Sequence, residues 1–123
     1  MRFVVTGATG LIGGATARHL KAAGHEVLAV DRRDGEVGDG IKLVVGDLFE
    51  LEFADEVIAG ADHVVHMGAI PNPIDSRQYT VFRNNSVSTF AVFTAAAQAK
   101  VKSVVYASSL SDRKSTRLNS SHT

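Results

Sequence analysis

The chain has 123 residues, 45% hydrophobic and 21% charged, with 13 basic against 13 acidic side chains and no cysteine. That length holds about one domain with a single modest core, and the balance is ordinary for a globular fold rather than a disordered one. Taking Asp112, Arg113, Lys114 and Arg117 out of the totals leaves 10 basic and 12 acidic residues in the body. Such a body has no electrostatic footprint for nucleic acid or a membrane surface. Without cysteine there is no disulfide framework and no thiolate metal site. Glycine follows Met1 too soon for the apolar core of a signal peptide, and no apolar run reaches the roughly 18–20 residues that span a bilayer. A cytoplasmic protein is the expectation.

Phe3 to Thr6 is a short apolar run that stops at glycine, as a strand buried on both faces does. Leu11 to Ala23 reads as a helix with Gly24 as its stop, and His25 to Val30 as a second strand ending at Asp31. The glycine- and charge-rich stretch RRDGEVGDG is a surface loop, followed by a third strand over Ile41–Val45. Phe49 to Ala59 is a short amphipathic helix stopped by Gly60, and Asp62 to His66 a fourth strand. A loop with Pro71 and Pro73 leads to a long alanine-dense helix over about 77–100, carrying Phe82, Phe90, Phe93 and Ala97. Ser103 to Ala107 is a fifth strand. Strands alternating with helices predict an α/β fold: a Rossmann-type, doubly wound parallel sheet.

The segment Thr6-Gly7-Ala8-Thr9-Gly10-Leu11-Ile12-Gly13 has the pattern T-G-x-x-G-x-x-G between a predicted strand and a predicted helix. Gly7 lets the chain turn off the strand, Gly10 lets a pyrophosphate approach the backbone, and Gly13 lets the helix pack closely. Leu11 and Ile12 open that helix, so its N–H groups and positive dipole end face the phosphates. Asp31 ends the second strand 18 residues after Gly13, where a carboxylate can accept the hydroxyls of an adenosine ribose. A carboxylate there repels a 2′-phosphate, which favours NAD over NADP. Arg32 and Arg33 pull the other way if a guanidinium pairs with that phosphate; otherwise they are solvated loop charges.

On these residues the chain resembles the extended short-chain dehydrogenase/reductase family, in its NAD-dependent epimerase/dehydratase group, over residues 1 to about 111. Gly46-Asp47-Leu48 is similar to the family's third-strand motif, whose aspartate meets the adenine amino group; Asp47 is equally placed to cap the helix that follows. His66-Met67-Gly68-Ala69 stands where the family has a His-Leu-Ala-Ala-like run along the cofactor. His66 itself reads as a packed residue, and its spacing from His63 puts the two imidazoles on opposite strand faces, against a shared metal. Asn84-Asn85-Ser86-Val87-Ser88-Thr89 is similar to the family's asparagine helix motif, which implies Asn85, with Asn84 as the alternative, as the structural asparagine of a catalytic tetrad. Val105-Tyr106-Ala107-Ser108-Ser109 resembles the fifth-strand motif and implies Ser109, or Ser108, as the hydroxyl that holds the substrate oxygen. Each of these polar residues also has a plain reading, as an exposed helix amide or a strand end.

The family's acid/base is a tyrosine in a Tyr-x-x-x-Lys pair, whose lysine lowers the phenol's pKa. Here Tyr79 is followed four residues later by Arg83 and Tyr106 by Leu110, so the pair is missing. The tail from Asp112 to His122 has no helical or strand period and resembles a translated sequencing adapter. The expectation is therefore an incomplete dinucleotide-binding domain over 1–111, with 112–123 a non-native or disordered tail. Such a piece would be marginally stable and inactive alone, with an exposed edge strand at Val104–Tyr106. The resemblance implies that the parent is an NAD(P)-dependent oxidoreductase of the epimerase/dehydratase type, moving a hydride to or from a sugar or sugar-nucleotide hydroxyl or carbonyl, with a homodimer possible. A non-catalytic dinucleotide sensor is the alternative.

Overall fold

A computed structural model describes residues 1–69 and 78–109, with side chains described at 1–67 and 86–107. In chain order the elements are β1 (Arg2–Thr6), α1 (Leu11–Ala22), β2 (Glu26–Asp31), β3 (Lys42–Val45), α2 (Leu51–Ile58), β4 (His63–Ala69), α3 (Gln78–Ala99) and β5 (Ser103–Ser109). The five strands form one sheet in the order β3-β2-β1-β4-β5, and all four pairings are parallel. This is the doubly wound α/β sheet that the alternating elements predict.

Alternation along the central strand assigns the two layers. Val4, with Val30 and Val64, packs under α2 and α3 through Ala54, Val57, Ile58, Ala91, Val92, Ala95 and Ala96. Val5, with Val27 and Ala29, packs on the other face against Ala8 and Ala17 of the α1 side. Both valines of β1 are fully buried, which is why its sequence is apolar without polar alternation. Helix α1 ends in a Schellman arrangement: His25 N–H reaches the Leu20 carbonyl, Gly24 N–H reaches Lys21, and Gly24 takes φ +96°.

Several boundaries move from the predicted ones. Strands β4 and β5 run on to Ala69 and Ser109 because they pair continuously from His63↔Ser103 to Ala69↔Ser109. Helix α2 begins at Leu51 rather than Phe49, because Asp47 first forms a turn: its Oδ1 accepts the Phe49 N–H at 2.9 Å and its carbonyl the Glu50 N–H at 3.0 Å. Asp47 is thus a turn residue two positions ahead of the helix and not its cap. The loop after β2 is not wholly a surface feature. Val37 is 5% exposed in the α1-side core, and Arg18 of α1 donates to its carbonyl at 2.8 Å. On α3 the rings of Phe90 and Phe93 face outward, 67% and 43% exposed, while alanines and Val92 fill the core. Strand β5 is an edge of the described sheet, and Val105 there is 40% exposed. The Pro71–Ile74 loop and the 112–123 tail lie outside the described residues.

Candidate functional site

The sheet order reverses between β1 and β4, the switch point where open α/β sheets have their ligand crevice, outside the C-terminal ends of the strands. The glycine loop leaves β1 at that place. Gly7 has φ +65°, and a Cβ on it would stand 3.0 Å from the Met67 Cβ of β4, so both the turn and the close approach require glycine. A Cβ on Gly13 would collide with the Gly7 carbonyl, so the start of α1 can lie on the loop only without a side chain there. Gly10, in extended conformation, is the residue ahead of α1 and brings no side chain to cap it.

Much of the loop's own polarity is satisfied within the chain. The N–H of Ala8 goes to the Val30 carbonyl at 3.2 Å and that of Gly10 to the Gly7 carbonyl at 3.1 Å. Asp31, at the end of β2, accepts the Thr9 N–H at 2.9 Å and the Thr9 hydroxyl at 2.7 Å, both on Oδ2. Its Oδ1 accepts the Arg33 N–H at 3.1 Å. That leaves the N–H groups every helix exposes on its first turn, here at Leu11, Ile12 and Gly13, as donors open to a ligand. Leu11 is 88% and Ile12 48% exposed beside them. Ala8, in contrast, is fully buried and acts through packing.

Partial burial of Asp31 acts to raise its carboxyl's pKa, but the hydrogen bonds from Thr9, Arg33 and Arg32 outweigh it and hold the group below its ordinary value. An ionised carboxylate thus stands beside the glycine loop. Arg32 and Arg33 are exposed next to it. Across the β2–β3 edge, Asp47 is exposed and Leu48 packs on the core. Gly46 has no room for a side chain because the ring of Phe53 covers it. A fixed glycine turn, an uncapped helix start and a carboxylate at the next strand end fit the diphosphate and adenosine ribose of a dinucleotide.

Behind the loop runs a buried link that the sequence did not announce. His66 is 4% exposed and Thr6 1%. Thr6 Oγ1 accepts the Met67 N–H at 3.0 Å and shares a hydrogen bond with His66 Nδ1 at 2.7 Å. Nε2 shares another with the Thr89 hydroxyl of α3 at 3.0 Å. The His66 ring also lies tilted beside that of Tyr106 of β5, with centroids 5.6 Å apart. His63 instead meets Ser103 and Met1 at the opposite end of β4, so the two imidazoles do not converge. The side chains of Asn84, Asn85, Ala69, Ser108 and Ser109 lie outside the described residues; by backbone, Gly68 and Ala69 belong to β4, Asn85 belongs to α3 and Ser109 pairs with Ala69.

A profile of the NAD dependent epimerase/dehydratase family matches residues 3–113. The chain belongs to that family. An L-arabinose 1-dehydrogenase (NAD(P)(+)) of Haloferax volcanii is 36% identical over 107 residues, covering 87% of this chain and 40% of its own. Among solved structures, a short-chain dehydrogenase/reductase superfamily protein from Agrobacterium tumefaciens with bound NAD superposes with a TM-score of 0.76 at 31% identity, over 89% of this chain and 33% of that one. MoeE5, solved with UDP-glucuronic acid and NAD, gives a TM-score of 0.73 at 32% identity, over 89% and 37%. The family member described here spans two fifths or less of the length of these relatives. No helix among its described residues is long and apolar enough to cross a membrane.

Proposed function

We propose that this chain is the cofactor-binding part of an NAD(P)-dependent oxidoreductase that transfers a hydride to or from a sugar or sugar-nucleotide hydroxyl or carbonyl. The observation that carries the reading is the Asp31 carboxylate held against Thr9, within the same β-α-β unit as the glycine turn. The first turn of α1 binds the diphosphate by backbone N–H groups and dipole, without a lysine. Asp31 accepts from the adenosine ribose, and Asp47 and Leu48 flank the adenine. Bound at the β1–β4 crevice, the nicotinamide supplies the hydride acceptor or donor. Met67, Gly68 and Ala69 of β4 run along it, and NAD is favoured over NADP.

In this reading the Ser109 hydroxyl donates to the substrate oxygen, and Asn85 orders the backbone and water behind it. Sugar chemistry is favoured by the relatives: one is named for L-arabinose and another was solved with UDP-glucuronic acid. The chain has no Tyr-x-x-x-Lys pair, so nothing in it is assigned to moving the hydroxyl proton, and turnover by this chain alone is not expected. The test has two arms. The purified chain is titrated with NAD, then assayed for NAD reduction with L-arabinose and with UDP-glucose. Saturable binding without reduction supports the reading; absence of binding contradicts it. Genomic DNA downstream of the Ser109 codon is read for an in-frame Tyr-x-x-x-Lys. Its absence there would favour a dinucleotide-binding protein without catalysis.

A further inference from the structure

The carboxylate of Asp31 is more fully occupied than a ribose-binding acid needs to be. An ionised carboxylate offers about four acceptor positions. Thr9 fills both on Oδ2, through its N–H at 2.9 Å and its hydroxyl at 2.7 Å, and the Arg33 N–H fills one on Oδ1. Thr9 belongs to the glycine loop and Asp31 to the end of β2, so this bond pair ties the two halves of the site together before any ligand arrives. Thr9 is itself confined. A Cβ on Gly35 would stand 3.3 Å from the Thr9 Cγ2, so the loop after β2 packs on the threonine methyl. That loop is anchored in turn by the buried Val37 and its bond to Arg18.

Two exposed guanidinium-bearing residues, Arg32 and Arg33, follow Asp31 directly. A carboxylate free to rotate would pair with either of them, and its negative charge would no longer oppose a 2′-phosphate. A carboxylate gripped on Oδ2 by both donors of one residue cannot make that move without breaking two charge-assisted hydrogen bonds. We propose that Thr9 is a positioning residue for Asp31, and that its grip on the carboxylate sets the preference for NAD over NADP. The inference rests on the dinucleotide reading above and adds the residue that enforces its selectivity.

The experiment measures dissociation constants of NAD and NADP for the 123-residue chain and for Thr9→Val and Thr9→Ser. Valine keeps the shape and the N–H but loses the hydroxyl; serine restores it. The expected result is a wild-type preference for NAD that narrows at least fivefold in Thr9→Val, chiefly through weaker NAD binding, and returns to within twofold in Thr9→Ser. Equal loss of affinity for both nucleotides in Thr9→Val, with the ratio unchanged, overturns the proposal, since a merely structural threonine would act that way. Equal wild-type affinities overturn it as well and leave the dinucleotide reading standing. Wild-type protein that binds neither nucleotide removes that reading and the proposal together. Should Thr9→Val fail to fold, Thr9→Ala takes its place: the same fivefold narrowing of the NAD to NADP ratio is expected, and an unchanged ratio overturns the proposal.

Discussion

Thr6 and His66, sixty residues apart, meet at 2.7 Å between hydroxyl and Nδ1, and His66 passes the link to Thr89 at 3.0 Å. The strand that launches the glycine loop is thereby joined, through one neutral imidazole, to the helix carrying the Asn84–Thr89 motif. Protonation breaks the arrangement, because both ring nitrogens then donate and the one that accepts in the neutral ring no longer can. Burial pushes the imidazole from 6.5 down to about 4. Between those two pH values the unfolded chain binds a proton that the folded chain refuses, so stability rises with pH across that window. Acidification from pH 7 to 4 should cost about 3 kcal/mol from this residue alone. Urea unfolding of wild type and His66→Gln at pH 4.5 and 7 checks it: the glutamine variant should lose most of that pH dependence, whatever its stability at pH 7.

Gly46 precedes the Asp47 turn and lies under the Phe53 ring of α2. Gly46→Ala forces a methyl into the ring and should destabilise the fold by about 1–3 kcal/mol. In a Phe53→Leu background the smaller side chain leaves room, and the same change should cost less than half as much. A double-mutant cycle by chemical denaturation measures this, and equal costs in both backgrounds would show that the ring is not what Gly46 accommodates.

Helix α3 should show the opposite of what side-chain size suggests. Phe90→Ser removes a ring that is 67% exposed and should change stability by about 0.5 kcal/mol or less. Val92→Ala removes two methyls from a fully buried site and should cost about 2 kcal/mol. Thermal unfolding of the two variants ranks them directly.

That inversion marks where sequence reading stops. From Ser86 to Ala99 the helix has no charged residue, so it lacks the polar–apolar contrast from which a buried face is read. Strand identity was legible because Phe3–Thr6 and Val27–Val30 are apolar runs closed by glycine or aspartate. The glycine spacing and Asp31 were legible because their chemistry repeats at fixed distances. The link from Thr6 to His66 had no such signal, since it exists only once β1 and β4 are neighbours across a 60-residue crossover. By sequence Asp47 suits an adenine contact, a helix cap or both, and the cap fails on local geometry. Its side chain closes a turn onto Phe49 instead, which delays the helix to Leu51. Val37 was hidden for a related reason: one apolar residue in RRDGEVGDG carries no period, and only Arg18 and the neighbouring core draw it inside.

The most direct measurement is amide NMR of the ¹⁵N-labelled chain titrated with NAD, alongside Gly13→Ala, in which the new methyl would strike the Gly7 carbonyl. Saturating shifts should appear at Leu11, Ile12, Gly13, Asp31, Arg32 and Leu48 in wild type, and weaken at least tenfold in affinity in the variant. Shifts that leave those amides still, or that cluster on the outer face of α3, would contradict the assignment of the site.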